Sequence, residues 1–304
     1  MRIAVSGSTG LVGSALCQRL TAQGHSIIPL VRPDSSSPPP AQSASLTWDP
    51  EQGLANPEAM DGIDAFIHLA GRNIAAARWT SAEKQRLRDS RVAATEKLVQ
   101  QLLALDNPPS TILSASAVGI YGDCGDQWVE ESQPADDSFL SQLATDWEAA
   151  CDPLRAAGLR VIHPRLGVVL SSQGGALQEM LPIFRWRIGG VLGSGKQYWS
   201  WIALADCVAA LQWLLDTPDT SGCYNLVAPQ PVTNRQFTKT LSKVLGRSAL
   251  FPVPGVALRL VLGELADALL LCSCRASADR LLGSGFRFEH AELAPFLERA
   301  LHED

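Results

Sequence analysis

The sequence has no uninterrupted apolar run of about twenty residues, the length that a membrane-spanning helix needs. It also has no basic segment with interleaved aromatic residues, and its formal net charge is −6. Nucleic-acid surfaces carry clustered positive charge, so this composition argues against one. We therefore predict no membrane span and no nucleic-acid partner.

Cysteines are scattered along the chain and odd in number. Of the seven, only Cys272 and Cys274 stand close together. Two thiols without a second pair or a nearby histidine make a poor metal site. Free thiols in a reducing cytoplasm are the better interpretation, so we predict a cytoplasmic protein without a bound metal.

Three glycines near the start of the chain form the most informative motif. They follow a short apolar run at residues 3–5, and apolar residues at helical spacing come next. The first glycine permits a tight turn, the second lets the backbone approach a diphosphate, and the third lets helix pack on strand. Amide groups at the start of the helix favour phosphate. The motif predicts a dinucleotide site formed by Gly7, Thr9, Gly10, Leu11, Val12 and Gly13.

Strand and helix patterns alternate along the first 170 residues. Strand patterns cover residues 26–31, 65–71, 111–117 and 160–170, and helix patterns cover residues 80–105 and 138–157. Such alternation predicts an α/β fold of the Rossmann type with a doubly wound parallel sheet. We expect this domain over residues 1–170, completed by about 203–227. A smaller, substrate-covering C-terminal domain is expected over residues 171–202 and 228–304.

Two other segments have simple predicted structures. Residues 34–40 are rich in serine and proline and predict a surface loop. Residues 256–272 are strongly apolar but contain three charged residues, so they predict a buried helix rather than a membrane span.

The end of the second predicted strand bears on the choice of cofactor. Dinucleotide folds that select NAD usually place an acidic residue there, whereas folds that select NADP place an arginine near the extra phosphate. This strand is followed by Arg32, and Asp34 comes two residues later. We expect NADP(H) as the preferred cofactor, with NAD(H) as the alternative. Under the alternative, Arg32 is solvated and Asp34 contacts the ribose.

Three segments together resemble the extended short-chain dehydrogenase/reductases. They are the glycine turn, residues 64–71 and residues 114–122. The resemblance implies that the second segment lines the adenine and ribose side of the cofactor through Leu69, Ala70 and Gly71. It implies that the third contacts the cofactor through Ser114 and Ala115 and carries the catalytic serine, Ser116. An extra residue in this segment leaves Ala117 as the alternative alignment.

Further segments are similar to the atypical epimerase-family branch of that superfamily, often described as nucleoside-diphosphate-sugar epimerase-like. The likeness covers nearly the whole chain and includes the small C-terminal domain of that branch. It is carried by residues 71–74, 78–79, 146–150, 165–170, 189–190, 193–195, 201–202 and 285–288, and by Gln197.

The chain departs from that superfamily in its proton-transfer residues. The resemblance implies a tyrosine followed four residues later by a lysine, which lowers the tyrosine pKa and holds the nicotinamide ribose. None of Tyr121, Tyr198 and Tyr224 has a lysine at that spacing. The helix over residues 138–157, where the pair belongs, contains neither residue type.

Three explanations of this departure are open. In the first, chemistry survives with substitutes: Ser116 acts, and Tyr121, Tyr198 or a water held by Asp206 supplies the proton. In the second, the protein binds NADPH but works as a sensor or scaffold, as some relatives linked to cell or organelle division suggest. In the third, the substrates need no strong protein acid. Ser116 and Tyr121 also have structural interpretations, as packing residues at a strand end and beneath the cofactor.

Residues 189–201 combine glycines with polar and aromatic side chains, which suits a pocket that closes over a ligand. We predict substrate contacts there and just beyond, from Gln197, Tyr198, Trp201 and Asp206. Relatives usually carry a histidine where this chain has Ala203.

Two arginines have open roles. Arg165 ends a strand expected beside the nicotinamide, so we predict that it contacts the cofactor or an anionic substrate group. A salt bridge from Arg165 to Glu148 or Asp206 is the alternative. Arg72 stands where relatives often carry glutamate, and its charge would suit a phosphate-bearing ligand.

The histidines are predicted to be structural rather than catalytic. His68 falls in a buried strand and His163 precedes a proline in another, so both are expected as hydrogen-bonded core residues. The others are expected at the surface: His25, His290 and His302.

The sequence as a whole predicts an NADP(H)-binding protein with oxidoreductase or epimerase chemistry on an unidentified small molecule. A non-catalytic, NADPH-responsive interaction protein, with a protein partner in cell division, is one alternative. A nucleotide-sugar epimerase with tightly bound NAD is another, which Arg32 and the missing tyrosine disfavour.

Overall fold

The computed structural model describes residues 1–33, 45–249 and 251–302, with only the backbone of His302. The loop predicted over residues 34–40, and Asp34 with it, lie outside the described residues. The chain forms two compact units. Unit 1 comprises Met1–Ser116, Leu143–Pro164 and Val208–Cys223, and unit 2 comprises Ala117–Gln142, Arg165–Cys207 and Tyr224–Asp304.

Strands and helices alternate along most of the chain. The strands are β1 (Arg2–Ser6), β2 (Ser26–Val31), β3 (Leu46–Asp49), β4 (Gly53–Leu54), β5 (Ala65–His68), β6 (Thr111–Ser114), β7 (Ser116–Ala117), β8 (Trp128–Val129), β9 (Arg160–Leu166), β10 (Val168–Ser171), β11 (Tyr198–Trp199), β12 (Trp201–Ala203), β13 (Gly222–Leu226), β14 (Val232–Thr233) and β15 (Arg275–Ala276). The helices are α1 (Leu11–Ala22), α2 (Ser81–Arg88), α3 (Ala94–Leu103), α4 (Phe139–Ala149), α5 (Asp152–Ala156), α6 (Gly175–Arg185), α7 (Leu204–Asp216), α8 (Asn234–Val244), α9 (Gly255–Leu262), α10 (Asp279–Gly283) and α11 (Leu293–His302). A π-helical segment, Asp89–Ala93, joins α2 to α3 without a break.

The large sheet has the strand order β13-β9-β6-β5-β1-β2-β3-β4, with β7 beside β9. Neighbouring strands from β9 to β3 run parallel, and β4 returns antiparallel to β3. From β1 the chain proceeds outward through β2 and β3, and then from β5 through β6 and β9 on the other side. The strand order therefore reverses between β1 and β5. This arrangement confirms the predicted α/β fold of the Rossmann type.

The core of unit 1 lies against the middle strands of this sheet. All four residues of β5 are buried, as expected for a parallel strand covered on both faces. Leu98 and Leu102 stand one helical turn apart on α3 and join the same core as Phe66 and Ile112. Each fully buried side chain of this size stabilises the fold by about 2 kcal/mol.

Among its described residues, unit 2 has its own core and three two-stranded sheets. β10 pairs with β12, β11 with β14 and β8 with β15. Aromatic pairs fill the interior, with ring centroids 5.5 Å apart for Trp201 and Phe296 and 5.3 Å apart for Trp199 and Phe237.

The prediction of a buried helix over residues 256–272 is wrong for its first half. Helix α9 buries none of its residues. Val256, Leu260 and Val261 are 74%, 78% and 70% exposed. Apolar residues occupy every face of this short helix, so no apolar stripe marks an inner side. Among the described residues, no helix has both the length and the apolar character needed to cross a membrane.

Four of the seven cysteines are buried. All seven lie within the described residues, and each is a free thiol. Burial raises the pKa of Cys17 and Cys151 to about 11 and that of Cys207 to about 12. Such thiols carry little thiolate at neutral pH and are poor nucleophiles.

Candidate functional site

The strand order of the large sheet indicates where a ligand should bind. Ligands of open parallel sheets lie beyond the carboxyl ends of the strands, at the point where the order reverses. Here that point lies between β1 and β5, whose last residues, Ser6 and His68, are paired in register. The glycine turn follows Ser6, and residues 69–71 follow His68. The structure therefore brings together two of the segments predicted to hold a cofactor.

Two of the three glycines are required by the packing of the turn. Gly7 has a φ of +73°, and a Cβ atom there would lie 2.8 Å from the backbone carbon of Leu69 and 2.9 Å from the nitrogen of Ala70. A Cβ atom on Gly13 would lie 2.0 Å from the carbonyl oxygen of Gly7. Both contacts are too close for any side chain, so strand β5, the turn and helix α1 hold one another in place.

Gly10 differs from the other two because the fold itself leaves room for a Cβ atom. Its φ is −75°, and the nearest atom to such a Cβ is the oxygen of Gly7, at 3.4 Å. Gly10 is exposed and caps α1 without any side-chain hydrogen bond to the first turn. Thr9 is exposed and Leu11 and Val12 are half-buried beside it. This open backbone at a helix N-terminus fits a phosphate group.

Arg32 lies just beyond β2, the parallel neighbour of β1 on the side away from β5. Its side chain is exposed. No hydrogen bond or ion pair joins it to another residue that the structure describes. A free guanidinium at the end of the second strand is the arrangement expected for contact with a 2′-phosphate.

The third predicted segment follows β6, next to β5. The Ala115 backbone N–H donates to the His68 carbonyl at 2.9 Å, and Ser114 is buried. Ser116 is 2% exposed, and its hydroxyl donates to Glu148 Oε1 at 2.6 Å. The thiol of Cys223 lies 3.3 Å from Glu148 Oε2.

Glu148 is a candidate functional residue that no sequence motif identifies. It stands on α4, the helix in which the resemblance places the tyrosine–lysine pair, and it is 9% exposed. The sequence does show an acidic residue on that helix. Its hydrogen bond to Ser116, however, joins residues 32 positions apart, so no local pattern reveals the contact. Ser116 therefore has a buried carboxylate as its hydrogen-bond acceptor, which can orient the hydroxyl and accept a proton from it.

His68 is a hydrogen-bonded core residue, as predicted. Its Nδ1 lies 2.6 Å from Ser6 Oγ and its Nε2 lies 3.0 Å from Thr95 Oγ1. Burial, reinforced by the positive charge of Arg91, lowers the pKa of His68 to about 4. The imidazole is therefore neutral at physiological pH. His163 is also buried, with Nδ1 3.1 Å from the carbonyl oxygen of Ser114.

We expect His68 to destabilise the fold in mild acid. In the unfolded chain its pKa is near 6.5, so above that pH both states are neutral and full stability is present. As the pH falls from 6.5 to about 4, only the unfolded chain takes up the proton, and about 3 kcal/mol of the free energy of unfolding is lost. The free energy of unfolding, measured in urea at several pH values across this range, should fall more steeply with decreasing pH for the native chain than for His68→Gln. His25→Gln is the control and should show the same pH dependence as the native chain. An equal pH dependence for all three chains would contradict the expectation.

Two predicted residues, Tyr121 and Arg165, contact each other in unit 2. The Tyr121 hydroxyl donates to Asn225 Oδ1 at 2.7 Å and accepts from Arg165 Nη1 at 2.9 Å. Arg165 also donates to the Glu131 carbonyl at 3.0 Å. Burial raises the pKa of Tyr121 well above its usual range. The phenol has a fixed acceptor for its proton, which favours the structural interpretation of Tyr121.

The predicted substrate residues of unit 2 make internal hydrogen bonds. Gln197 Nε2 donates to the carbonyls of Leu192 and Leu270, each at 3.0 Å, and Trp201 Nε1 donates to the carbonyl of Gln230 at 3.0 Å. Tyr198 is half-buried, with the Arg275 guanidinium 4.6 Å from its ring centroid.

Asp206 also binds the protein itself. It is 2% exposed and accepts the backbone N–H groups of Glu289 and His290, each at 2.8 Å. The side chain of His290 is only 9% exposed, so its predicted surface position is wrong. The reason is a contact between distant segments, because Asp206 binds the backbone of Glu289 and His290 and so fixes the position of His290.

Comparison with known proteins agrees with this geometry. A family model described as the NAD dependent epimerase/dehydratase family matches residues 3–227. A second model, a domain of unknown function (DUF1731), matches residues 253–300. An epimerase family protein of Mycobacterium bovis is 44% identical over 288 residues, which cover 95% of this chain and 93% of that protein.

Two solved structures are also similar. The crystal structure of human epimerase family protein SDR39U1 (isoform 2) with NADPH has a TM-score of 0.87 at 32% identity and covers 99% of both chains. The UDP-glucuronic acid 4-epimerase of Bacillus cereus in complex with NAD has a TM-score of 0.76 at 16% identity, covering 99% of this chain and 96% of that one. At that identity it shows the shared fold alone. The match over residues 3–227 and the identity to full-length relatives establish that this chain belongs to the NAD dependent epimerase/dehydratase family.

Proposed function

We propose that this chain is an NADP(H)-dependent oxidoreductase acting on a small molecule, with the cofactor held at the glycine turn of unit 1. The observation that carries the proposal is Gly10. Its backbone is exposed at the start of α1 with no capping side chain, and the fold does not require a glycine there. A glycine that the protein's own packing leaves free is explained by a ligand that approaches the backbone closely.

Arg32 supports NADP(H) rather than NAD(H) as the preferred cofactor. Its guanidinium is exposed at the end of β2, where a ribose 2′-phosphate would lie. The human relative, crystallised with NADPH, supports the same cofactor.

Ser116 and Glu148 are proposed to take the place of the missing tyrosine–lysine pair. When bound, the dinucleotide supplies or accepts a hydride. Ser116 is the residue proposed to meet the substrate oxygen, and Glu148 orients the serine hydroxyl through their 2.6 Å hydrogen bond. A proton that leaves a substrate hydroxyl at Ser116 Oγ can pass along this bond to Glu148. Tyr121 is assigned a structural role, because its hydroxyl already donates a hydrogen bond to Asn225 Oδ1.

Calorimetric titration with NADPH and NADH tests the cofactor assignment. A charge-assisted hydrogen bond to the 2′-phosphate contributes roughly 1.5–3 kcal/mol, so the native chain should prefer NADPH by about tenfold or more. Arg32→Ala should remove that preference and leave the affinity for NADH unchanged. If neither nucleotide binds the native chain, the proposed function is wrong.

A second candidate function is a non-catalytic, NADPH-responsive interaction protein. It is favoured by the engaged phenol of Tyr121 and by the absence of the usual pair. Oxidation of NADPH should be followed with a panel of aldehydes, ketones and quinones. Turnover that Ser116→Ala abolishes, with NADPH binding intact, supports the oxidoreductase. Binding without turnover on the whole panel, together with a protein partner captured only when NADPH is present, supports the second candidate.

A further inference from the structure

Arg91 is a partly buried arginine on the π-helical segment between α2 and α3. Its hydrogen-bond partners are neutral. Nη2 donates to the carbonyl of Arg72 at 2.9 Å, and Nη1 donates to Ser90 Oγ at 3.4 Å. The guanidinium carbon lies 5.3 Å from the ring centroid of Trp147. Single π-helical turns inside α-helices are frequent at functional sites.

No carboxylate neutralises Arg91 within the part of the chain that the structure describes. Its neighbours on the same surface differ: Arg72 forms a two-pronged contact with Glu83, at 2.5 and 3.1 Å, and Arg86 contacts the same carboxylate at 3.3 Å. Burial without a counter-charge lowers the pKa of Arg91 to about 10. Burying a guanidinium without a counter-charge costs folding free energy. An anionic ligand that binds the guanidinium would offset this cost.

The position of Arg91 links it to the glycine turn. A Cβ atom on Gly71 would lie 3.2 Å from the guanidinium carbon of Arg91. Gly71 directly follows Leu69 and Ala70, the residues whose backbone packs against Gly7. In the sheet, β1 lies between β5 and β2, and Arg32 directly follows β2. Arg91 therefore approaches the turn from the side opposite Arg32.

We propose that Arg91 binds the diphosphate that NADPH and NADH have in common, so that it sets the affinity for both while Arg32 sets the preference between them. A guanidinium has five N–H donors, and two of those of Arg91 are used within the protein, so three remain for a ligand. Arginine suits this role because its planar fork matches two phosphate oxygens at once. The inference rests on the proposed cofactor function.

Calorimetric titrations of the native chain, Arg91→Met and Arg32→Ala with NADPH and NADH test the inference. Arg91→Met should weaken both nucleotides by the same factor, roughly tenfold to a hundredfold, and leave their ratio unchanged. Arg32→Ala should weaken NADPH alone. Arg88→Met is the matched control, because Arg88 lies one turn earlier, is exposed and already pairs with Asp146. It should bind both nucleotides like the native chain.

The melting temperature of each variant separates binding from folding. A lower melting temperature of Arg91→Met with unchanged affinity for both nucleotides would mean that Arg91 is structural, and the inference would be wrong. A changed ratio would place Arg91 on the 2′-phosphate and contradict it as well. If Arg91→Met does not fold, Arg91→Lys decides: it should lose several-fold affinity for both nucleotides, because an ammonium makes a single point contact. Native-like affinity of Arg91→Lys would overturn the inference. A native chain that binds neither nucleotide would refute the proposed function instead.

Discussion

Replacing Gly13 by alanine is expected to destabilise the fold by at least about 3 kcal/mol and to abolish nucleotide binding. Alanine gains about 1 kcal/mol over glycine in helix propensity. That gain is outweighed by a Cβ atom 2.0 Å from the oxygen of Gly7 and 2.8 Å from its carbon. Gly7 cannot retreat, because its own α-carbon faces the backbone of Leu69 and Ala70. Overpacking of this kind costs about 1–3 kcal/mol or more even where flexible side chains can move. Urea unfolding measures the loss of stability.

Gly10→Ala is the matched control for this prediction. Its Cβ atom would touch only the oxygen of Gly7, at 3.4 Å, so the change should cost less than about 1 kcal/mol of stability. The same methyl group would stand where a phosphate approaches the turn, so the affinity for NADPH should fall by roughly a hundredfold. A folded Gly13→Ala that binds NADPH normally would contradict the packing argument. A folded Gly10→Ala that binds normally would contradict the site.

Arg160→Met is expected to lower the free energy of unfolding by about 3 kcal/mol. Arg160 Nη1 donates to the carbonyls of Leu214 and Thr217 at 3.1 and 2.8 Å, and Nη2 donates to the carbonyl of Leu215 at 2.7 Å. Nη1 also donates to the hydroxyl of Thr220 at 3.2 Å. These oxygens stand at the end of α7 and just after it, at the negative end of the helix dipole. Methionine fills the space but donates no hydrogen bond, so the carbonyl of Leu215 loses its bond to Arg160, whereas those of Leu214 and Thr217 still accept from the Thr220 hydroxyl at 2.9 and 2.8 Å.

Arg155→Met provides the comparison for Arg160. Arg155 is also an arginine of unit 1, but its partner is the exposed side chain of Asp152. Exposed ion pairs contribute about 0–1 kcal/mol, so this variant should unfold almost like the native chain in urea. Similar losses for the two variants would show that the carbonyl cluster does not depend on Arg160.

The parts of the site that the sequence predicts are those set by neighbouring residues. The glycine turn requires particular backbone angles at Gly7 and close packing at Gly13, and both requirements are visible in the spacing of a few residues. The full burial of β5 follows from its apolar run, and the same run places His68 in the core. Arg32 is identified by its place after a strand rather than by any distant contact.

The remaining features depend on contacts between distant segments. The bond between Ser116 and Glu148 joins a strand end to a helix, and no local pattern indicates which residue of α4 will face the serine. The exposed helix α9 shows the same limit. Its apolar composition predicts burial, but burial depends on a partner element, and α9 has apolar residues on all sides. Arg91 is visible only once Gly71 and Trp147 lie beside it.

Gly7 is held between Gly13 and the backbone of Leu69 and Ala70, so the turn has lost its conformational freedom before any ligand arrives. A loop that is already ordered in the free protein adds no ordering entropy to the cost of binding. Association at such a turn is a single encounter whose rate is set by diffusion and orientation, with no loop closure to wait for. If the cofactor binds at this turn, as proposed, nucleotides should differ there mainly in how long each one stays bound.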